Sequence, residues 1–449
     1  MNSQDPTSDV PAPGTTGRYI VLFSEEDDGQ AGASALSDAA GLSAVRTADL
    51  EDGAVGGDQL EESEAVVFDE LSVAVVDAAP DQAQALSAAT TQEESPIVAV
   101  EPERIVYALQ YEPSGVALVP SSNPTAELSA EFLRGYRDAV DHLVGRVLPN
   151  GSPGGVAEEV AATAFDESEF TWGLQATRAA ASQFSGRGVK VAVLDTGLDL
   201  QHPDFQGRAI TARSFVLGES AQDGHGHGTH CIGTACGSQQ PGQSPRYGIA
   251  FDSEIFAGKV LSNRGSGSDG GILAGIAWAI ANGCHVVSMS LGAATRPGQG
   301  FSPIFETVAQ RALAAGTLIV AAAGNESNRP QTIAPVGHPA NCPSIMAVAA
   351  LDAQGRVAFF SCGSVNHPGG GVDIAGPGVS VRSSWPRPGL YRTINGTSMA
   401  TPHVAGIAAL LAEAGPGARG RALGQALFEG ARRLALLSTD VGVGMVQAP

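Results

Sequence analysis

The sequence is poor in cysteine. Cys231, Cys236, Cys284, Cys342 and Cys362 are the five thiols of a 449-residue chain. An odd, sparse set excludes a disulfide scaffold and leaves at least one thiol unpaired within the chain. Long apolar runs are missing as well. No stretch approaches the ~20 residues that a membrane helix needs. Positive charge is scarce: Lys and Arg total 25 against 47 Asp and Glu, a net of −22, so nothing is basic enough for nucleic acid. Met1–Pro13 has neither the basic start nor the apolar stretch of a secretory leader. The expectation is that the protein acts inside the cell, leaves by another route, or begins upstream of Met1.

What is present is a globular, turn-rich chain, 43% apolar with 57 Gly and 27 Pro. Its length points to two units, one with a deep core. Residues 1–166 hold 30 of the 47 acidic side chains and 6 of the 25 basic ones. The acidity thus belongs to the front third, either as a segment with its own role or as a solubilising surface. Residues 1–17, rich in Pro, Ser, Thr and Gly, read as disordered. A compact α+β unit is expected over 18–111, with strands at 19–23, 65–68, 71–76, 97–101 and 105–109 and a short helix at 79–89. Residues 112–166 read as a linker, Pro/Ser-rich at first and then helical in spacing over 126–147. From 167 to 449, strand candidates at 189–195, 254–261, 284–291, 317–323 and 344–350 alternate with helix candidates at 227–236, 269–282, 303–315, 399–413 and 420–434. That alternation predicts an α/β domain of three layers, α/β/α, on a mainly parallel sheet. The crevice of such a sheet lies at the carboxyl ends of its strands, where Asp195, Ser290 and Asn325 fall.

Three runs carry chemistry. Val191-Ala192-Val193-Leu194-Asp195-Thr196-Gly197 ends a strand on an aspartate, and Gly226-His227-Gly228-Thr229-His230 opens a helix on a histidine. Asn395-Gly396-Thr397-Ser398-Met399-Ala400-Thr401-Pro402-His403 puts a serine at the head of an apolar helical stretch. The order Asp, His, Ser is one of three chain orders of the serine triad. On this reading Asp195 orients His227, His227 takes the proton of Ser398, and Ser398 attacks. Asn325, in Ala321-Ala322-Ala323-Gly324-Asn325, would donate to the oxyanion together with the Ser398 N–H. Each residue also has a plainer reading. Asp195 could cap a turn, Ser398 could be an N-cap, and Asn325 could be a turn residue. His225, His227, His230 and Cys231 have the donors of a metal cluster. Asp223 and His225 read as solvated loop residues.

With Asn325, these motifs resemble the subtilisin-like serine peptidases (subtilases) over roughly 167–449. The resemblance implies endopeptidase activity through an acyl-enzyme, with no cofactor for the chemistry. It implies that Lys259-Val260-Leu261 with Gly265, Ser266 and Gly267 on one side, and Ser290, Leu291 and Gly292 on the other, pair with extended substrate. Ala322, Ala323 and Gly324 would wall the pocket before the cut bond. Their small size implies a broad, apolar-leaning preference, and Glu326 at the rim would admit a basic residue. Cys231 stands where proteinase K-like members carry a buried thiol, which also reads as core packing. Residues 18–111 resemble the family's inhibitory prodomain, a small α+β, ferredoxin-like fold whose tail fills the cleft. The partners implied are protein or peptide substrates and the chain's own prodomain, with no nucleic acid. Asp204 and Asp373 sit where some members hold structural calcium, and as isolated aspartates they read equally well as turn or N-cap residues. Prodomain-bearing members are usually secreted, which the missing leader contradicts.

The leading expectation is a broad-specificity, autoprocessed zymogen. A dedicated processing protease for one precursor is the runner-up. A binding protein on an inactive scaffold would need a lost catalytic residue, and none of Asp195, His227, Asn325 and Ser398 is lost.

Overall fold

A computed structural model describes residues 14–24, 29–50, 55–93, 95–110, 165–366 and 369–449. The chain divides into two compact units, Met1–Tyr111 together with Phe165–Pro449, and Glu112–Ala164. The second unit, with the linker and the helix expected over 126–147, lies outside the described residues. The disordered start expected over 1–17 gives way to strand by Thr15.

The strands, in chain order, are β1 (Thr15–Phe23), β2 (Ala44–Arg46), β3 (Ala65–Phe68), β4 (Val73–Val76), β5 (Ile97–Ala108), β6 (Lys190–Asp195), β7 (Ile210–Ser214), β8 (Glu254–Lys259), β9 (Ser266–Ser268), β10 (Val286–Met289), β11 (Leu291–Gly292), β12 (Leu318–Ala322), β13 (Met346–Leu351), β14 (Ile374–Pro377), β15 (Val381–Ser384) and β16 (Tyr391–Ile394). The main sheet runs β14-β13-β12-β10-β6-β8-β7. Every pairing in it is parallel. Its strands are apolar throughout because both faces are covered. Val191 and Val193 point into a core shared with helices His227–Cys236, Thr397–Ala414 and Arg421–Gly430. Ala192 and Leu194 point into another, shared with helices Asp269–Ala281 and Pro303–Ala314. The two-residue period of a strand thus produces the three layers. From β6 the chain runs to β7 at the sheet edge, fills the gap between them with β8, then continues on the other side of β6 through β10, β12, β13 and β14, so strand order reverses at β6. Crevices open at such a reversal.

The front sheet runs β5-β1-β4-β3-β2. Neighbours are antiparallel except β2 and β3. Val21, Phe23, Ala65, Val67, Ala74 and Val76 face helices Gly29–Ala40 and Pro80–Ala89. The alternate residues Ile20, Leu22, Val66, Phe68, Val73 and Val75 share a core with Ile272, Ile276, Phe305 and Val308 of helices Asp269–Ala281 and Pro303–Ala314. The front sheet is therefore apolar on both faces while supplying helices for only one.

The closing strand and its tail form a single strand, β5. Pro102 does not break it: it pairs with Tyr19 where the ladder's register shifts on the way to Thr15–Arg104, an irregularity of the kind that accommodates proline. The first part of β5 pairs with β1. Its last part leaves the front sheet and joins β9 and β11.

Candidate active site

Asp195 ends β6 with its backbone pinned from outside the strand. Val260 and Leu261 both donate N–H to its carbonyl, at 2.9 and 3.0 Å. Its carboxylate meets His227 Nδ1 at 2.8 and 3.0 Å. His227 begins its helix directly after Gly226, whose φ of +110° and contact with the Trp385 ring leave no room for a Cβ. Both side chains are fully buried. Burial disfavours the imidazolium, yet the Asp195 carboxylate outweighs it and raises His227 well above the ordinary histidine range. His230 goes the other way: burial and the neighbouring His227 charge depress it to about 3.

Ser398 lies in the first turn of helix Thr397–Ala414 and is fully buried. Pro402 has no N–H to close the helical turn onto the Ser398 carbonyl. That carbonyl instead accepts from Ser290 Oγ at 2.9 Å and Cys231 Sγ at 3.6 Å. The Ser398 hydroxyl donates back to the Ser290 carbonyl at 3.0 Å. His227 Nε2 is buried without a hydrogen-bond partner. The structure thus joins Asp195 to His227 and holds the serine hydroxyl on Ser290, not on the histidine as the sequence reading expects.

Asn325 is held by Thr397, whose N–H and hydroxyl both donate to its Oδ1 at 2.9 Å. Its Nδ2 donates to the Leu109 carbonyl at 2.7 Å. Gly396 lets that carbonyl approach, since a Cβ there would lie 2.7 Å from the Leu109 oxygen. The end of β5 occupies the cleft in extended form. Ile105, Val106 and Tyr107 pair with Ser268, Gly267 and Ser266, while Tyr107 and Ala108 pair with Gly292 and Leu291. The Ala108 N–H reaches the Gly265 carbonyl at 2.9 Å, and the Leu109 N–H reaches the Ser290 carbonyl at 3.2 Å. Val106 is completely buried, whereas Tyr107 stays half exposed. Gly265, Ser266, Gly267, Ser290, Leu291 and Gly292 therefore line one extended peptide. Lys259, Val260 and Leu261 do not: they turn inward and support Asp195. Ala323 is buried, and the Gly324 N–H donates to Thr397 Oγ1 at 3.2 Å.

Several readings need correction. Asp223 is not a solvated loop residue. It is buried and gathers the N–H groups of His225, Gly226 and Thr229 with the hydroxyls of Thr196 and Thr229. It thereby fastens the strand end carrying Asp195 to the helix carrying His227. The Asp-x-x-x-His spacing, placing an acid just ahead of a helix start, was the available signal. Lys259, expected beside the substrate, has another role. Fully buried, its ammonium is satisfied by the Thr196 carbonyl, Asn263 and Glu219.

The metal readings also change. Asp204 accepts from Tyr247 (2.6 Å), Tyr391 (3.0 Å) and the Gly242 N–H (2.9 Å), so donors occupy both carboxylate oxygens where a cation would need lone pairs. Asp373 accepts the Ala347 N–H at 2.7 Å, and burial pushes it up to about 6. Among the described residues, the only cluster of metal-ligating side chains is Asp195, His227 and Cys231. His230 points away to the carbonyls of Val381 and Arg392. The Cys231 thiol is buried 3.8 Å from His227 Nδ1, and burial raises it. No helix among the described residues is long and apolar enough to cross a membrane.

Comparison with known proteins gives a consistent answer. A model of the subtilase family matches residues 186–445. Subtilisin of Bacillus pumilus is 43% identical over 231 residues, 51% of this chain and 78% of that protein. Subtilisin E of Bacillus subtilis (strain 168) is 42% identical over 230 residues, 51% of this chain and 56% of that longer protein. The solved structure of sphericase superposes with a TM-score of 0.53 at 31% identity, covering 63% of this chain and 99% of the other.

Proposed function

The chain belongs to the subtilase family and is by class a serine-type endopeptidase; on that premise we propose that it is made as a self-inhibited precursor whose first substrate is its own Leu109–Gln110 bond. The observation that carries the reading is the Leu109 carbonyl, 2.7 Å from Asn325 Nδ2 while the backbone before it is paired on both sides. Extended pairing fixes the bond, and the amide donor meets its oxygen.

In the reaction, the Ser398 hydroxyl turns from the Ser290 carbonyl toward the unpartnered His227 Nε2. Its Oγ attacks the Leu109 carbonyl carbon while its proton passes to Nε2. Asp195, on Nδ1, stabilises the imidazolium that forms. The oxyanion accepts from Asn325 Nδ2 and the Ser398 N–H. Collapse breaks the bond to Gln110, and the imidazolium proton goes to the departing amine. Water then releases Leu109 as a carboxylate, assisted again by His227. The new terminus keeps its strand pairs, so residues 14–109 remain as an inhibitor bound in the cleft. Protein substrates would later use the same two strands. Their selection is expected to be broad and apolar-leaning, as a bound leucine with its Cδ1 against Gly292 and the small Ala323 and Gly324 favour.

Incubating purified full-length protein and sequencing the new N-termini tests this. A terminus at Gln110, absent in Ser398→Ala, is expected. Cleavage that persists in Ser398→Ala would overturn the reading.

A further inference from the structure

Upstream of Val106, Arg104 makes a side-chain contact that strand pairing does not require. Arg104, five residues before Leu109, places its NH1 3.2 Å from Asp269 Oδ2 and donates its backbone N–H to the same oxygen at 3.1 Å. Asp269 opens helix Asp269–Ala281 immediately after β9, the strand that lines the tail. Its side chain is completely buried. His338 Nε2 fixes the other oxygen at 2.9 Å, and the His338 ring stands edge-on to Phe305 at 4.6 Å.

We propose that Asp269 is a specificity-determining residue, reading a cationic side chain at the sixth position before the cut bond. This rests on the reading that Leu109–Gln110 lies in the cleft as a substrate would. Burial alone would favour a neutral carboxyl, but His338 and Arg104 outweigh it and lower the pKa of Asp269, so the group is anionic. The backbone N–H contact is available to almost any residue at that position. Only the guanidinium contact distinguishes side chains. Glu101 also holds Arg104, through NH2 at 2.7 Å, but Glu101 belongs to the tail. A separate substrate does not bring it, and Asp269 is then the acid that remains. Arginine or lysine is favoured there over alanine, and glutamate is opposed.

The test uses processed enzyme and quenched peptides Xaa-Ile-Val-Tyr-Ala-Leu-Gln-Ser, with Xaa as Arg, Ala or Glu. The Arg peptide is expected to exceed the Ala peptide about tenfold in kcat/KM, mainly through KM, the size of one charge-assisted hydrogen bond at a part-exposed site. The Arg-to-Glu ratio is larger and shrinks with salt in the wild-type enzyme, which needs no variant. In Asp269→Asn the Arg-to-Ala ratio falls to about one. Equal ratios in both enzymes overturn the proposal. If casein is digested but no peptide is cut after leucine, the Leu109 reading fails by itself. The acids Arg-Ile-Val-Tyr-Ala-Leu and Ala-Ile-Val-Tyr-Ala-Leu, as competitors of casein digestion, then test Asp269 separately. Equal inhibition by the two overturns it.

Discussion

The main sheet and the front sheet solve the same problem differently. The main sheet is parallel and carries its own helices on both faces. The front sheet is mainly antiparallel and apolar on both faces, but its own helices cover only one. Its second face is buried by helices Asp269–Ala281 and Pro303–Ala314, which flank the main sheet. Two glutamates guide that docking. Glu103 accepts the Gly270 N–H at 2.8 Å, and Glu101 accepts the Ser302 hydroxyl at 3.0 Å, each at the start of one of these helices. The front region thus buries its second face on these two helices, and on the proposed reading only its tail enters the chemistry. A long-range parallel sheet is slow to form, and a preformed surface that matches two of its helices is a physical means of assisting it.

The largest effect should come from abolishing the proposed cut between the two regions. Ser398→Ala is expected to lower hydrolysis on the order of 10⁶-fold and to leave a single uncleaved chain by intact mass. Asp195→Asn should cost about 10⁴-fold in kcat, because His227 loses the partner that sets its tautomer. His227 acts as a base only when neutral, and its pKa is raised. The kcat/KM of processed enzyme should therefore rise with pH through a midpoint above ~6.5, and Asp195→Asn should move that midpoint down. Asn325→Ala, which removes one oxyanion donor, should cost about 10²–10³-fold in kcat with KM little changed. A change confined to KM would assign Asn325 to binding.

Smaller effects separate the two sheets. Phe68→Ala, on the shared face, should weaken the front region by about 3–5 kcal/mol. In a Ser398→Ala background, limited digestion with an added protease should then clip residues 14–110 earlier while the main thermal transition holds. Equal loss in both regions would mean that they unfold as one. Tyr247→Phe should cost about 1–3 kcal/mol, since it removes one of the donors that satisfy buried Asp204. Restoration of that loss by calcium would return Asp204 to the metal ligands.

Much of this molecule could be read one window at a time. The alternation from 189 onward marks β6, β8, β10, β12 and β13, and four of the five helices expected beyond 167 lie within two residues of their observed bounds. Helix Gly29–Ala40 is hard to see in the sequence because its buried stripe is Gly29, Gly32, Ala35 and Leu36, with a single large apolar side chain. Strands β14, β15 and β16 are short and set among Gly, Pro and polar residues, so no two-residue period marks them. Asp223 reads as solvated from the sequence because a loop aspartate beside Gly224 shows no partner until its donors are found on other elements.

By itself the sequence determined where the reactive side chains sit along the chain: Asp195 at a strand end, His227 and Ser398 at helix starts. Those placements depend on periodicity and turn chemistry within a few residues. Only the tertiary structure decided that Tyr107–Leu109 fills the cleft, that Asp204 meets tyrosines, and that Arg104 meets Asp269. Strand pairing and burial join residues more than a hundred positions apart, and no local pattern records which partner a backbone amide or a carboxylate will find.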